Sequence, residues 1–204
     1  MQIPPLVPLA AFTATGDLAR LKDALHQALD AGLTIEQAKE AMVQLYAYCG
    51  FPRSLNALGV LMQTVQERRA RGCHDADGRA ATPLPPGADM LARGTATQTR
   101  LAGAPVQGPL FDFAPAIDHY LKRHLFGDIF ASDALTEPER EMVTIAALAS
   151  LHGVDSQLAA HYRIGRNAGL SAAQLHHIVQ VLTERVDAEA GRHAAAVLQD
   201  SGAA

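Results

Sequence analysis

The sequence predicts an all-α protein, a helical bundle built from two degenerate copies of one helix-hairpin unit. Three observations predict it. Apolar residues make up 49% of the 204, much of that alanine, while aromatics reach only 5% and tryptophan is absent. Alanine and leucine richness with few β-branched runs favours close-packed helices. A Ser or Thr followed three residues later by Gln or Glu recurs at Thr34–Gln37, Thr136–Glu139 and Ser171–Gln174. Each reads as a capping box, in which two orphan N–H groups at a helix start are satisfied reciprocally. Finally, Gly32 and Gly169 stand 137 positions apart, and the same offset pairs Ala10 with Ala147, Gly16 with Gly153, Leu21 with Leu158 and Leu45 with Leu182 without a gap. Two copies of one supersecondary unit is the reading that explains the offset.

In chain order, residues 6–14 read as the tail of an apolar helix stopped at Gly16. Asp17 caps a helix through Ala31, with Leu18, Leu21, Leu25, Ala28 and Leu29 on one face. Thr34 opens a helix to about Tyr48. Gly50-Phe51-Pro52 breaks it, and the next runs from Ser54 to about Arg71 with Leu55, Leu58, Leu61, Met62 and Val65 as its core stripe. From Gly72 to Gly108 the periodicity disappears into Gly, Pro, Ala, Thr and Asp, apart from a helical turn near Met90, so this segment reads as a linker. Helix resumes from Ala114 to Phe126, with Gly127-Asp128-Ile129-Phe130 as a turn. Thr136 caps a helix ended by Gly153. Asp155 or Ser156 caps the next, Gln157 to Ala168. Ser171 caps another through Val186, and a final amphipathic helix reaches Gln199. The organisation expected is therefore a first, truncated repeat over 1–71, a linker over 72–108 and a second repeat over 109–204.

The stretch from Glu139 to Gly169 holds the candidate site. His161 is the single histidine on its helix, set between Ala159, Ala160 and Gly165, and Glu141 lies one helix earlier. An acid and an imidazole on adjacent antiparallel helices can meet inside a bundle. At the repeat offset His161 falls on Ala24 and Glu141 on Pro4, so only the second copy keeps the polar pair.

Composition narrows the function classes. The formal charge of −4 comes without a basic stripe, which argues against nucleic acid as a partner. Cys49 and Cys73 are the only cysteines, too few for a disulfide scaffold, and point to a reducing, cytoplasmic compartment. The apolar opening over residues 3–12 is interrupted by prolines and lacks a basic flank, so it reads as mature sequence. No run approaches the roughly 18 apolar residues of a membrane helix. Cys73-His74-Asp75 with Asp77 carries metal-ligand chemistry but lacks paired spacing, and no metal is expected there. His176 and His177 are adjacent and face different directions.

At Phe126-Gly-Asp-Ile-Phe130, Arg140-Glu-Met-Val-Thr-Ile-Ala-Ala-Leu148 and Gln157-Leu-Ala-Ala-His-Tyr-Arg163 the sequence resembles the carboxymuconolactone decarboxylase family, relatives of the alkylhydroperoxidase-D-like thiol peroxidases. Tyr46-Ala-Tyr-Cys-Gly-Phe-Pro52 in the first half is similar to the segment that follows such a unit. The resemblance implies an all-α bundle of alkylhydroperoxidase-D-like type assembling as a trimer or hexamer, a small-molecule substrate and no cofactor. It implies a lyase in which His161 moves the proton and Glu141 fixes its tautomer, with Tyr48, Arg163 and Arg123 as weaker candidates for substrate binding. The sequence departs from the family decarboxylases around the Gly-Asp-Ile turn, where tryptophan, arginine and Pro-Gly give way to Phe130-Ala-Ser-Asp-Ala-Leu135.

Two alternatives stand beside the lyase. A peroxiredoxin-type antioxidant needs a Cys-x-x-Cys, and Val154 and Gln157 stand at those positions, seven and four before His161. Cys49 reads as a small packing residue. The other alternative is a non-catalytic helical binding or assembly protein. Arg163, two residues beyond His161, points away from the same helix face.

Overall fold

The computed structural model describes residues 5–204 and is all-α; Pro4, the repeat counterpart of Glu141, lies outside the described residues. The first half comprises α1 (Leu6–Thr15), α2 (Leu18–Asp30), α3 (Ile35–Cys49) and α4 (Phe51–Ala70). The second comprises α8 (Glu137–Ala149), α9 (Asp155–Asn167), α10 (Ala172–Val181) continued by a π-helical turn Leu182–Val186, and α11 (Ala188–Ser201). Between them lie α5 (Met90–Ala102), α6 (Pro109–Phe113), α7 (Pro115–Tyr120) and a π-helical stretch Leu121–Ile129. The repeat offset reappears in three dimensions: 18–30 and 35–49 in the first half correspond residue for residue to 155–167 and 172–186 in the second.

The two halves share one core. Residues 6–14 of α1 are all buried, as are residues 140–149 of α8, and these two helices pack against each other at the centre. A helix apolar all round must be enclosed on every side, and the remaining helices of both halves provide that enclosure in a single buried cluster. All three capping boxes form as the spacing predicts. Gly16 adopts the left-handed conformation (φ 76°) that closes α1. Arg20 ties the halves together by donating to the carbonyls of Arg185 and Val186 at 3.1 and 2.6 Å.

Several boundaries differ from the sequence expectation. On α4 the buried positions are Ser54, Ala57, Leu61, Thr64, Val65 and Arg68, so the inward face is rotated and Leu55 and Met62 stand on the outside. The helix α8 ends at Ala149, four residues before Gly153. Helix α9 starts at Asp155 behind Val154, with no side-chain cap; Asp155 sits in the first turn, where a carboxylate favours the helix dipole. The segment 72–108 holds more structure than its composition suggests. Its first part folds back on α3, where the Ile35 and Glu36 N–H groups donate to the carbonyls of Ala76 and Asp77. That contact satisfies donors every helix start leaves orphaned.

Later in the segment, α5 lies directly on the π-helical stretch and forms a second small core with it, from Leu101, Leu125, Phe126, Ile129 and Phe130. Two glycines permit the approach. A Cβ on Gly94 would stand 1.7 Å from the Lys122 carbonyl oxygen, and one on Gly127 would stand 2.5 Å from that of Met90. Gly127 to Ile129 are thus π-helical rather than a turn, and the helix expected over 114–126 is the short helix α7 running into that stretch.

Candidate functional site

Three helices bring polar side chains into the interior. From α3 come Glu40, Gln44 and Tyr48, spaced by four and therefore on one face. From α8 come Arg140, Glu141 and Thr144, and from α9 comes His161. Gly165, one turn after His161, lets α9 approach α8: a Cβ there would meet Leu170 Cδ1 at 3.1 Å and Ile145 Cδ1 at 3.3 Å. At that separation His161 Nδ1 stands 2.7 Å from Glu141 Oε2.

This pair is buried, Glu141 completely and His161 to all but 8%. A carboxylate oxygen accepts, so the imidazole donates from Nδ1, which leaves Nε2 as the ring atom free to exchange a proton. The Nε2 atom bonds to no described residue. The Tyr48 ring meets the imidazole edge-on, with centroids 5.6 Å apart. Burial pushes the Tyr48 phenol well above its ordinary pKa, and the nearby Glu141 charge raises it further. Tyr48 is therefore a neutral donor at neutral pH. Thr144 is near enough to favour the phenolate slightly, but no hydrogen bond of acceptable geometry forms between them. Tyr48 Oη and Glu141 Oε1 are both buried and both without a hydrogen-bond partner. Buried polar atoms are ordinarily paired, so two orphaned oxygens beside one imidazole mark a place for a small polar group.

Behind the pair, Arg140 is 1% exposed. It donates to Gln44 Oε1 at 2.8 Å, to Glu40, and to the Ser132 carbonyl at 2.7 Å. Gln44 Nε2 in turn donates to the Arg140 carbonyl at 2.9 Å and to Thr144 Oγ1 at 2.8 Å. A buried cation survives only when paired and hydrogen-bonded, and Glu40 with Gln44 supplies both conditions. This network braces α3 against α8, which holds Tyr48 next to His161.

The structure thus brings His161, Glu141 and Tyr48 together, and it does not bring Arg123 or Arg163 to them. Arg123 is exposed on the π-helical stretch, 4.0 Å from Asp128. Arg163 is exposed on the outer face of α9, as its spacing from His161 requires. Sequence reasoning missed Arg140, Gln44 and Thr144. The spacing of 40, 44 and 48 was the available signal for Gln44, since it shares a helix face with Tyr48.

The other candidates have structural partners. Asp75 accepts two hydrogen bonds from Arg68, at 2.8 and 2.7 Å, and the described residues contain no group of three acids, histidines or cysteines able to hold a metal. Cys49 donates to the Leu45 carbonyl at 3.1 Å, and burial pushes its thiol up despite the opposing Arg53 charge. Such a thiol is poorly nucleophilic. No described helix is long and apolar enough to cross a membrane.

No curated protein matches the chain. The family model described as the carboxymuconolactone decarboxylase family matches residues 6–63 and 115–200, well over half of the chain and including α3, α8 and α9. The chain belongs to the carboxymuconolactone decarboxylase family, which supports, at family level, a carboxymuconolactone decarboxylase-like or alkylhydroperoxidase-like function.

Proposed function

We propose that the protein is a cofactor-independent lyase that decarboxylates a small carboxylated lactone or oxo-acid. The observation that carries this reading is the buried Glu141–His161 pair with the unpartnered Tyr48 hydroxyl beside it. Loss of CO₂ from a γ-carboxy lactone leaves an electron pair delocalised onto the lactone carbonyl. Turnover then needs a proton for the carbon and a donor for the developing oxyanion. His161 supplies the first: its imidazolium, stabilised by the Glu141 carboxylate, passes the Nε2 proton to carbon and is reprotonated from solvent. Tyr48 Oη supplies the second. The carboxylate leaves as CO₂ and one proton replaces it, so the reaction balances without an external oxidant or reductant.

A thiol peroxidase reading has less support. Val154 and Gln157 occupy the positions a dithiol would need, and the Cys49 thiol is raised and tied to a carbonyl.

The test is decarboxylation of a panel of γ-carboxy lactones and oxo-acids by wild type and His161→Gln. Glutamine roughly preserves size but carries no titratable proton, so turnover should fall by about 10²–10⁴-fold with the helical spectrum unchanged. Turnover per folded molecule equal to wild type would defeat the catalytic role and favour a binding protein.

A further inference from the structure

We infer that the chain carries a second binding site, for a small carboxylate anion, at the place where the internal repeat sets the counterpart of the His161 site. At the offset of 137 positions, residues 6–12 of α1 fall on residues 143–149 of α8, α2 falls on α9, and residues 182–186 fall on 45–49 of α3. The packing follows the offset: α1 lies on α2 and on the 182–186 turn, as α8 lies on α9 and α3. Each location therefore takes two walls from one repeat and the third from the other. A cavity of about 260 Å³ opens between α1, α2 and the 182–186 turn. Its lining includes Ala24, the counterpart of His161, and Arg185, the counterpart of Tyr48. Alanine in place of the imidazole removes the proton-transfer group and leaves room behind it. The location that holds acid–base chemistry in the second repeat holds positive charge in the first.

That charge decides what fits. Arg20 and Arg185 both line the cavity, against one acid, Asp23. Both guanidiniums are held by uncharged oxygens. Arg20 Nη2 donates to the carbonyls of Arg185 and Val186, and Arg185 Nη2 donates to Gln27 Oε1. Among the described residues neither arginine hydrogen-bonds an acid, and the Nη1 and Nε donors of both stay without an acceptor. The Arg20 guanidinium lies over the Phe12 ring, 4.4 Å from its centroid, a contact that steadies the cation without neutralising it. Two like charges fixed on one small cavity raise its potential, and a bound oxyanion offsets that repulsion. Planar guanidinium forks match the geometry of a carboxylate. With Asp23 the lining sums to one positive charge, which suits a monoanion and opposes a phosphate dianion. Pro8, Phe12 and Ala24 make the remaining wall apolar, so the fitting ligand has a short apolar body behind its carboxylate.

The test is a titration of the full chain with sodium benzoate at low ionic strength, followed by amide chemical shifts in nuclear magnetic resonance. The amides of Ala24, Gln27 and Arg185 should shift saturably in wild type. Arg185→Gln removes one guanidinium fork, and Gln27→Glu gives Arg185 a carboxylate within the chain. Both positions are exposed, and circular dichroism checks that each variant keeps its helices. Each substitution should raise the midpoint by about tenfold or more, the worth of one charge-assisted hydrogen bond. Inorganic phosphate in place of benzoate should bind more weakly. The absence of a saturable shift at these amides in wild type would overturn the proposal, as would an unchanged midpoint in either variant. Phosphate binding as tightly as benzoate would overturn the carboxylate assignment. These amides report on α2 and the 182–186 turn and not on turnover, so failure here is separate from any failure of the lyase reading.

Discussion

At the scale of single residues, Tyr48 separates a functional reading from a structural one. Its hydroxyl is buried and unpartnered, which costs the ligand-free fold about 1–3 kcal/mol of unrecovered hydration. Tyr48→Phe removes that cost and leaves the ring against His161. The variant should therefore unfold at the same or a higher temperature than wild type. If the phenol serves the oxyanion, kcat/KM on an accepted substrate should fall by about 10–10³-fold at the same time. Lower stability with unchanged kcat/KM would mean the hydroxyl belongs to the packing and not to the chemistry. Gln44 carries the opposite expectation, because both ends of its amide are already paired inside the fold.

At the scale of elements, the segment after α4 is held by charge as well as by backbone. Arg68 and Asp75 are almost fully buried, with Asp30 as a second, exposed acid on the same guanidinium. Asp75→Asn leaves Arg68 with Asp30, which is exposed, as its only carboxylate and should cost about 2–3 kcal/mol in urea unfolding, somewhat less than the loss of a lone buried pair. The hydrogen bonds from Arg68 hold the Asp75 carboxyl below the usual carboxylate range. A depressed folded pKa contributes stability that is fully present above the unfolded value near 3.9 and is lost as pH falls through the folded value. The wild-type advantage over Asp75→Asn should accordingly be constant at neutral pH and shrink below about pH 4. An advantage that stays constant down to pH 2 would count against the ion pair as its source.

The same scale explains what the sequence made legible. Capping boxes and apolar periodicity are local signals, and they placed α2, α3, α8 and α10 correctly at their starts. The Glu141–His161 meeting was legible because both residues lie on helices whose spacing the sequence states. The π-helical stretch and α5 were not, since Gly94 and Gly127 look like breakers until the two backbones are seen in contact. Leu55 and Met62 misled for a different reason. Periodicity shows that an apolar face exists but not whether the same chain covers it.

At the scale of the whole molecule, the internal repeat suggests two separable halves, and the packing opposes that. The central contact is between α1 of one copy and α8 of the other, and one buried cluster runs through both. Residues 1–71 alone would expose the flank of α1 that α8 covers, together with the polar face of α3 that Arg140 and Thr144 satisfy. Such a fragment leaves too little apolar surface buried to offset its chain entropy. The intact chain is therefore expected to unfold in urea as one transition, with coincident midpoints by far-ultraviolet circular dichroism and by tyrosine fluorescence, the usable emission in a chain without tryptophan. The fragment of residues 1–71 should show no cooperative transition at any urea concentration. Two resolved transitions in the full chain, or a cooperatively folded fragment, would mean that each repeat closes its own core and that α1 meets α8 only as a docking surface.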